Sequence, residues 1–229
     1  MSHDNTFRRQ LEMSQLFVGL PDSELEDLAA ATVEKRYAKD EVIFLKGDRP
    51  TGVFIVMAGM VKMACQSPQG GEKVIDLVTQ GKVFGEAALI LDHTYPYMAV
   101  ALSSVRLMHV DGKTLIDLVA GSAMLSRRLL AQLSKCIFTG LRDLEDYRVR
   151  TPLERLIGYL HDQSTGMAKV KPVVVLEAPK HVIASRLSMT PEALSRGLRD
   201  LSDSGLIEVG PDYVKVLDCE RLSRFNEGV

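Results

Sequence analysis

The sequence predicts an α+β chain: an N-terminal β-roll, a long central helix and a small C-terminal domain of helices closed by a hairpin. Three observations carry that prediction. Residues 33–110 break into short alternating segments punctuated by glycines. Residues 122–147 repeat apolar or small side chains every three or four positions, and Thr190-Pro191 opens a helix straight after a tight turn. With 229 residues, 46% of them hydrophobic and 25% charged, the chain is neither a disordered tail nor a fibre and can fill two ordinary cores.

In chain order, an amphipathic start over 7–20 carries Phe17 and Leu20, followed across Pro21-Asp22 by Leu25 and Leu28. Strands are expected at 33–37, 41–45, 52–57, 60–65, 73–78, 98–102 and 105–110, forming a double-stranded antiparallel jelly roll. The longest apolar run, 53–61 counting Gly59, is about half of what a bilayer-crossing helix needs. The polar start lacks the apolar segment of a secretion signal, so a cytoplasmic location without a membrane partner is expected. Cys65, Cys136 and Cys219 are odd in number and far apart, which fits neither a disulfide framework nor a Cys-x-x-Cys metal site.

A helix over 122–147 is roughly 38 Å long at 1.5 Å per residue, more than capping a small roll requires. A seam between two subunits is expected along it, built from Leu129, Leu133, Cys136, Ile137, Gly140 and Leu144, with Gly140 allowing close backbone approach. The alternative is a core helix packed on its own sheet. Cys136 reads as a small buried apolar side chain rather than a redox switch. Residues 148–152 interrupt the pattern and Pro152 starts a new helix with Leu153, Leu156, Ile157 and Leu160 on one face. The domains are therefore 1–121, 122–150 and 151–229, with a loop over 163–171 and a strand over 173–176.

The last domain is the most informative. A short helix over 179–187 leads through Ser188-Met189 to Thr190 as N-cap and Pro191 at the first helical position. Leu194, Leu198 and Leu201 then face Val182, Ile183 and Leu187, leaving Glu192, Ser195, Arg196 and Arg199 on the opposite side. An apolar side gripping a scaffold helix and a polar tip matched to base edges make a recognition helix. Arginine bonds guanine through two donors, a carboxylate accepts from cytosine, and serine serves either. Residues 205–216 alternate around Gly-Pro-Asp as a wing hairpin. The domain thus reads as a winged helix-turn-helix for double-stranded DNA, with Thr190, Pro191, Lys180 and Arg186 joining the contact set.

Over essentially its whole length the sequence resembles the cyclic-AMP receptor protein and fumarate-nitrate-reduction regulator (Crp/Fnr) family of bacterial transcription factors. The resemblance is carried by Gly59, Gly81, Phe84-Gly85-Glu86, Asp92, the long helix and the stretch 188–196. It implies a cyclic-nucleotide-binding-like roll that senses an effector, a homodimer joined along the central helix, and RNA polymerase as partner. Glu192, Ser195 and Arg196 match the Glu-x-x-Ser-Arg arrangement of the fumarate-nitrate branch, while Pro191 stands where the cyclic-AMP branch carries an arginine. A palindrome of the TTGAT-N4-ATCAA type is expected, read by helices about 34 Å apart.

The resemblance also bears on the effector. Gly85 and Glu86 match the residues that hold ribose, but Tyr95-Pro96 replace the Arg-Ser pair for the cyclic phosphate, and Gly140-Leu141 replace the adenine contacts. A buried phosphate without a cation is costly, so cyclic AMP is not expected. No cysteine precedes Cys65, which excludes the four-thiolate iron–sulfur cluster of the oxygen-sensing branch. What remains resembles the Dnr/NnrR nitric-oxide branch and implies haem, in a pocket of Gly85, Glu86, Ala87, Tyr95, Pro96, Tyr97, Phe138 and Leu141 with Met98 beside it. His93 is the nearest candidate axial ligand, with His3, His109, His161 and His181 as others; the alternative is a regulator of this family that responds to a cyclic nucleotide or another small organic effector, and a redox signal stays open. Among rival classes, a cupin-type metal enzyme would need more than His93 and His109 in the roll. A regulatory subunit that never touches DNA would leave Ser195-Arg196 unexplained.

Overall fold

The computed structural model describes residues 3–66, 71–164, 172–176 and 178–225, in two compact units that part between Phe138 and Thr139. The first begins with α1 (His3–Met13) and α2 (Asp22–Ala30). It continues through β1 (Thr32–Tyr37), β2 (Val42–Phe44), β3 (Gly52–Ala58), β4 (Val61–Gln66), β5 (Glu72–Val78) and β6 (Val83–Phe84). Then follow α3 (Glu86–Ile90), β7 (Met98–Ala101), β8 (Val105–Asp111), α4 (Gly112–Gly121) and the start of α5 (Ala123–Val149). The strands form two four-stranded antiparallel sheets, ordered β1-β8-β3-β6 and β2-β7-β4-β5. This is the jelly roll that the glycine-punctuated alternation predicts.

The long apolar run has its explanation in β3. Residues at alternate positions serve two cores: Val53, Ile55 and Met57 pack with α1, α2, α4 and α5, whereas Phe54 and Val56 face the space between the sheets. β8 does the same with Met108 and Val110 on one side and Val105 and Leu107 on the other. Gly59 makes the sharp turn out of β3 at φ +84°, where a Cβ would lie 2.4 Å from Ser104 O. Asp111 ends β8 and caps α4, its carboxylate accepting from the Thr114 amide at 2.9 Å.

The second unit contains the rest of α5, then α6 (Pro152–Ser164), β9 (Val173–Val175), α7 (Lys180–Arg186), α8 (Pro191–Asp203), β10 (Ile207–Val209), β11 (Tyr213–Val216) and α9 (Cys219–Arg224). α6 opens on a capping box: Thr151 Oγ accepts from the Glu154 amide at 3.3 Å and the Glu154 carboxylate accepts from the Thr151 amide. β10, β11 and β9 form the wing sheet, with Val209 opposite Val214 and Val214 opposite Val174. Of the loop expected over 163–171, Gln163 and Ser164 belong to α6 and the rest lies outside the described residues.

The compact units divide α5 in its middle, where the sequence reading places boundaries at 121/122 and 150/151. Leu125 and Leu129 are buried in the roll's helical core and Leu133 packs on it, so the first turns belong to the roll. The last turns are joined by side chains to α6 and α7 of the second unit, as described below.

Candidate nucleic-acid interface and effector region

The surface of α8 carries a sharply divided sequence. Leu194, Gly197, Leu198 and Leu201 are buried against the rest of the second unit, while Pro191, Glu192, Ser195, Arg196 and Arg199 line one open depression on the outer side. Thr190 caps the helix, its Oγ accepting from the Ala193 amide at 3.2 Å, and Pro191 needs no partner for a missing N–H. The turn before it depends on Ser188, which adopts φ +55° and is braced by the Met189 amide donating to Ala184 O at 2.9 Å. Glu192 is held below the usual carboxylate range by its own backbone amide, the Thr190 hydroxyl and Arg196, so the tip presents a firm acceptor beside two guanidinium donors. Among the described residues Arg196 and Arg199 enter no ion pair.

Lys180 and His181 are exposed on α7, but Arg186 departs from its expected role. Its Nη2 lies 2.8 Å from Asp143 on α5, so its charge is spent inside the unit rather than offered to a phosphate. Arg155 carries a role that sequence reasoning missed. Its Nε donates to Leu187 O at 2.8 Å, one Nη to Ser188 O at 3.0 Å and the other to Arg150 O at 2.7 Å. A single arginine in an amphipathic helix has no signal that announces such partners.

In the roll, Gly85 at φ +90° starts α3 and brings Glu86 to face α5, where Gln132 Nε2 donates to its Oε1 at 2.8 Å. Burial raises the Glu86 carboxyl above its ordinary range, against its own backbone amide and Gln132. Tyr95 is a core residue: its ring stacks on Phe44 at 3.7 Å, and burial with Asp48 and Glu86 nearby pushes its phenol up to about 12. Tyr97 is half-buried and its phenol is also raised, by burial first and then by Glu86. Ala87, Pro96 and Phe138 are exposed, and so is Leu141 on the portion of α5 that belongs to the second unit. The expected pocket therefore resolves into a polar cluster of Glu86, Tyr97 and Gln132 backed by the Tyr95 ring.

His93 does not fit the role of a haem ligand. It is exposed on the loop after α3, with Nδ1 3.3 Å from Thr94 O, and among the described residues it is not enclosed. His109 is spent structurally, its Nε2 3.1 Å from Thr51 Oγ and its ring tilted on Phe54. His161 and His181 are exposed in the second unit, and the side chain of His3 lies outside the described residues.

The model of the cyclic nucleotide-binding domain matches residues 34–122, and that of the Crp-like helix-turn-helix domain matches residues 154–225. The chain belongs to the Crp/Fnr family. It is 25% identical to the cyclic AMP receptor protein of Thermus thermophilus over 222 residues, covering 94% of this chain and 98% of that relative. FixK2 of Bradyrhizobium japonicum shares the fold, with a TM-score of 0.77 at 21% identity over 86% of this chain and 98% of that one. DNR of Pseudomonas aeruginosa is 25% identical over 98% of this chain and all of that one, with a TM-score of 0.53. This Crp/Fnr protein is thus a DNA-binding transcriptional regulator and not an enzyme.

Crp/Fnr regulators are typically dimeric, and α5 of this one carries an open apolar stripe. Of the seam read in the sequence, Ile137, Gly140 and Leu144 lie on this open face, whereas Leu129 and Leu133 do not. Leu129 is only 4% exposed and Leu133 packs beside it, because the roll's own helical core claims that face. The open face holds Leu130, Ile137, Leu141 and Leu144 at heptad spacing, 57–66% exposed. Gly140 adds bare backbone there, since a Cβ on it would meet no atom within 4 Å. Cys136 is exposed rather than buried, with its thiol pKa raised by partial desolvation and then by Glu86.

Proposed function

We propose that this Crp/Fnr regulator is a homodimer, joined along the Ile137–Leu144 face of α5, that binds a TTGAT-N4-ATCAA palindrome at promoters worked by RNA polymerase. The observation that carries the reading is the tip of α8, where an ionised Glu192, Ser195 and Arg196 stand together on a capped, rigid helix start. Arginine paired to guanine and carboxylate to cytosine at such a tip discriminate by about 1–3 kcal/mol per contact. Footprinting on the palindrome tests it. Arg196→Ala is expected to abolish site-specific protection while leaving thermal unfolding unchanged; a variant that still protects the site would overturn the assignment, and so would a wild-type dimer that protects none.

The effector acts through the roll and is a small organic molecule other than cyclic AMP. Although the Thermus thermophilus relative is named for cyclic AMP, the resemblance to the family implies that its phosphate-binding arginine is replaced here by Tyr95, a core ring stacked on Phe44. Calorimetric titration with cyclic AMP should give no heat of binding; micromolar binding that tightens DNA association would reverse this conclusion. A second reading, haem with nitric oxide, rests on the resemblance to the Dnr/NnrR branch alone and would need an axial ligand other than the exposed His93 or the hydrogen-bonded His109. Protein produced with added haem and kept anaerobic would then show a Soret band shifted by nitric oxide, and its absence removes that reading. In either case the effector acts by its difference in affinity between DNA-competent and incompetent arrangements.

A further inference from the structure

The turn of the helix-turn-helix is tied to the end of α5 by one side chain. Arg155 stands one turn into α6, half-buried, and its planar guanidinium reaches three carbonyls that belong to two different places. Arg150 O closes the end of α5, one residue before the Thr151-Pro152 start of α6. Leu187 O and Ser188 O sit at the end of α7, immediately before the recognition helix. Both are helix C-terminal positions, where carbonyls lack helical partners and the local potential is negative, so a cation with several donors is the group they favour. The Tyr147 ring lies 5.8 Å from the guanidinium carbon. A second strut runs alongside, from Arg186 on α7 to Asp143 on α5.

We infer that Arg155 is a positioning residue for DNA reading: it fixes the direction in which α8 leaves the end of α5, and so sets the half-site spacing that the dimer accepts. The inference rests on the palindrome reading above and adds to it the residue that converts dimer geometry into site geometry. Ser188 makes the link sensitive, because its positive φ is the corner about which α8 is aimed and its carbonyl is one of the three that Arg155 holds. Lysine cannot replace it, since its three donors radiate from a single nitrogen, whereas the three carbonyls are reached here by three separate nitrogens of the guanidinium.

The test compares wild type, Arg155→Lys and Arg155→Ala on duplexes with TTGAT half-sites separated by three, four or five base pairs, and on a duplex with one half-site. Thermal unfolding of each protein is followed in parallel. Wild type is expected to favour one spacing strongly. Both variants are expected to lose about tenfold or more on that spacing and to bind all three within about threefold of one another, with single half-site binding unchanged. Arg155→Lys keeps the charge at the end of α7 and serves as the folded control should the alanine variant unfold early. Loss of affinity on every duplex in proportion, half-site included, would show a merely structural arginine and overturn the proposal, as would variants that keep the wild-type spacing preference. A wild type that binds no spaced palindrome refutes the palindrome reading itself, which is a different outcome from either.

Discussion

At the scale of single residues, Glu86 is the group whose environment most departs from what its position in the sequence suggests. It is a half-buried carboxylate that accepts from an amide on α5 rather than from a cation, and burial raises its pKa. In the unfolded chain the same side chain releases its proton at the ordinary value, so the folded state binds more protons in the window between the two. Stability from this group is therefore greatest in acid and declines as pH rises through the raised folded value, each unit of displacement being worth about 1.4 kcal/mol. Glu86→Gln removes the ionisable group while keeping an oxygen for Gln132. The variant should melt higher than wild type at pH 8 and lose that advantage towards pH 5, measured by circular dichroism. An advantage independent of pH would show that the carboxylate is not desolvated. Glu192, Ser195 and Arg196 are legible in the sequence because a capped helix places them by local spacing alone. The Gln132 contact and the two contacts of Arg155 with the turn are not, since their partners lie 46, 32 and 33 residues away along the chain.

At the scale of elements, periodicity locates the helices better than it orients them. The repeat along α5 predicts a helix correctly but cannot tell which of two adjacent apolar faces the roll will take, and the roll takes the one with Leu129. The two faces should respond differently to mutation. Leu129→Ala is expected to cost about 2–4 kcal/mol of folding stability in chemical denaturation. Ile137→Asp, 63% exposed in the single chain, should leave stability per chain unchanged and weaken the dimer at least about tenfold by sedimentation. β6 and α3 have two and five residues, too few for any period to show, and escape a reading by pattern for that reason. The turn between α7 and α8 reads as tight from its residues, without the backbone angle that makes it so. Ser188→Gly should be tolerated there, whereas Ser188→Val, a β-branched side chain at φ +55°, should destabilise the second unit by about 1–3 kcal/mol in thermal unfolding.

At the scale of the whole molecule, a formal net charge of −2 poses a question for a DNA-binding protein. Residues 150–229 hold 11 Lys+Arg against 11 Asp+Glu, so the DNA-binding portion offers no general attraction to phosphates either. The structure reduces the available cations further, since Arg186 is bound to Asp143 and Arg155 to three carbonyls. Lys180, Arg196 and Arg199 remain at the reading surface, and Arg196 is assigned to a base. Two or so phosphate contacts per subunit follow, about four or five for the dimer. Each releases close to one counterion, so the logarithm of the specific binding constant should fall against the logarithm of salt concentration with a slope of about −4. Fluorescence anisotropy on the palindrome across a salt series measures it directly. A slope steeper than about −8 would require phosphate contacts from cations this surface does not expose, and would place the bound DNA on a larger basic area than α7 and α8 provide.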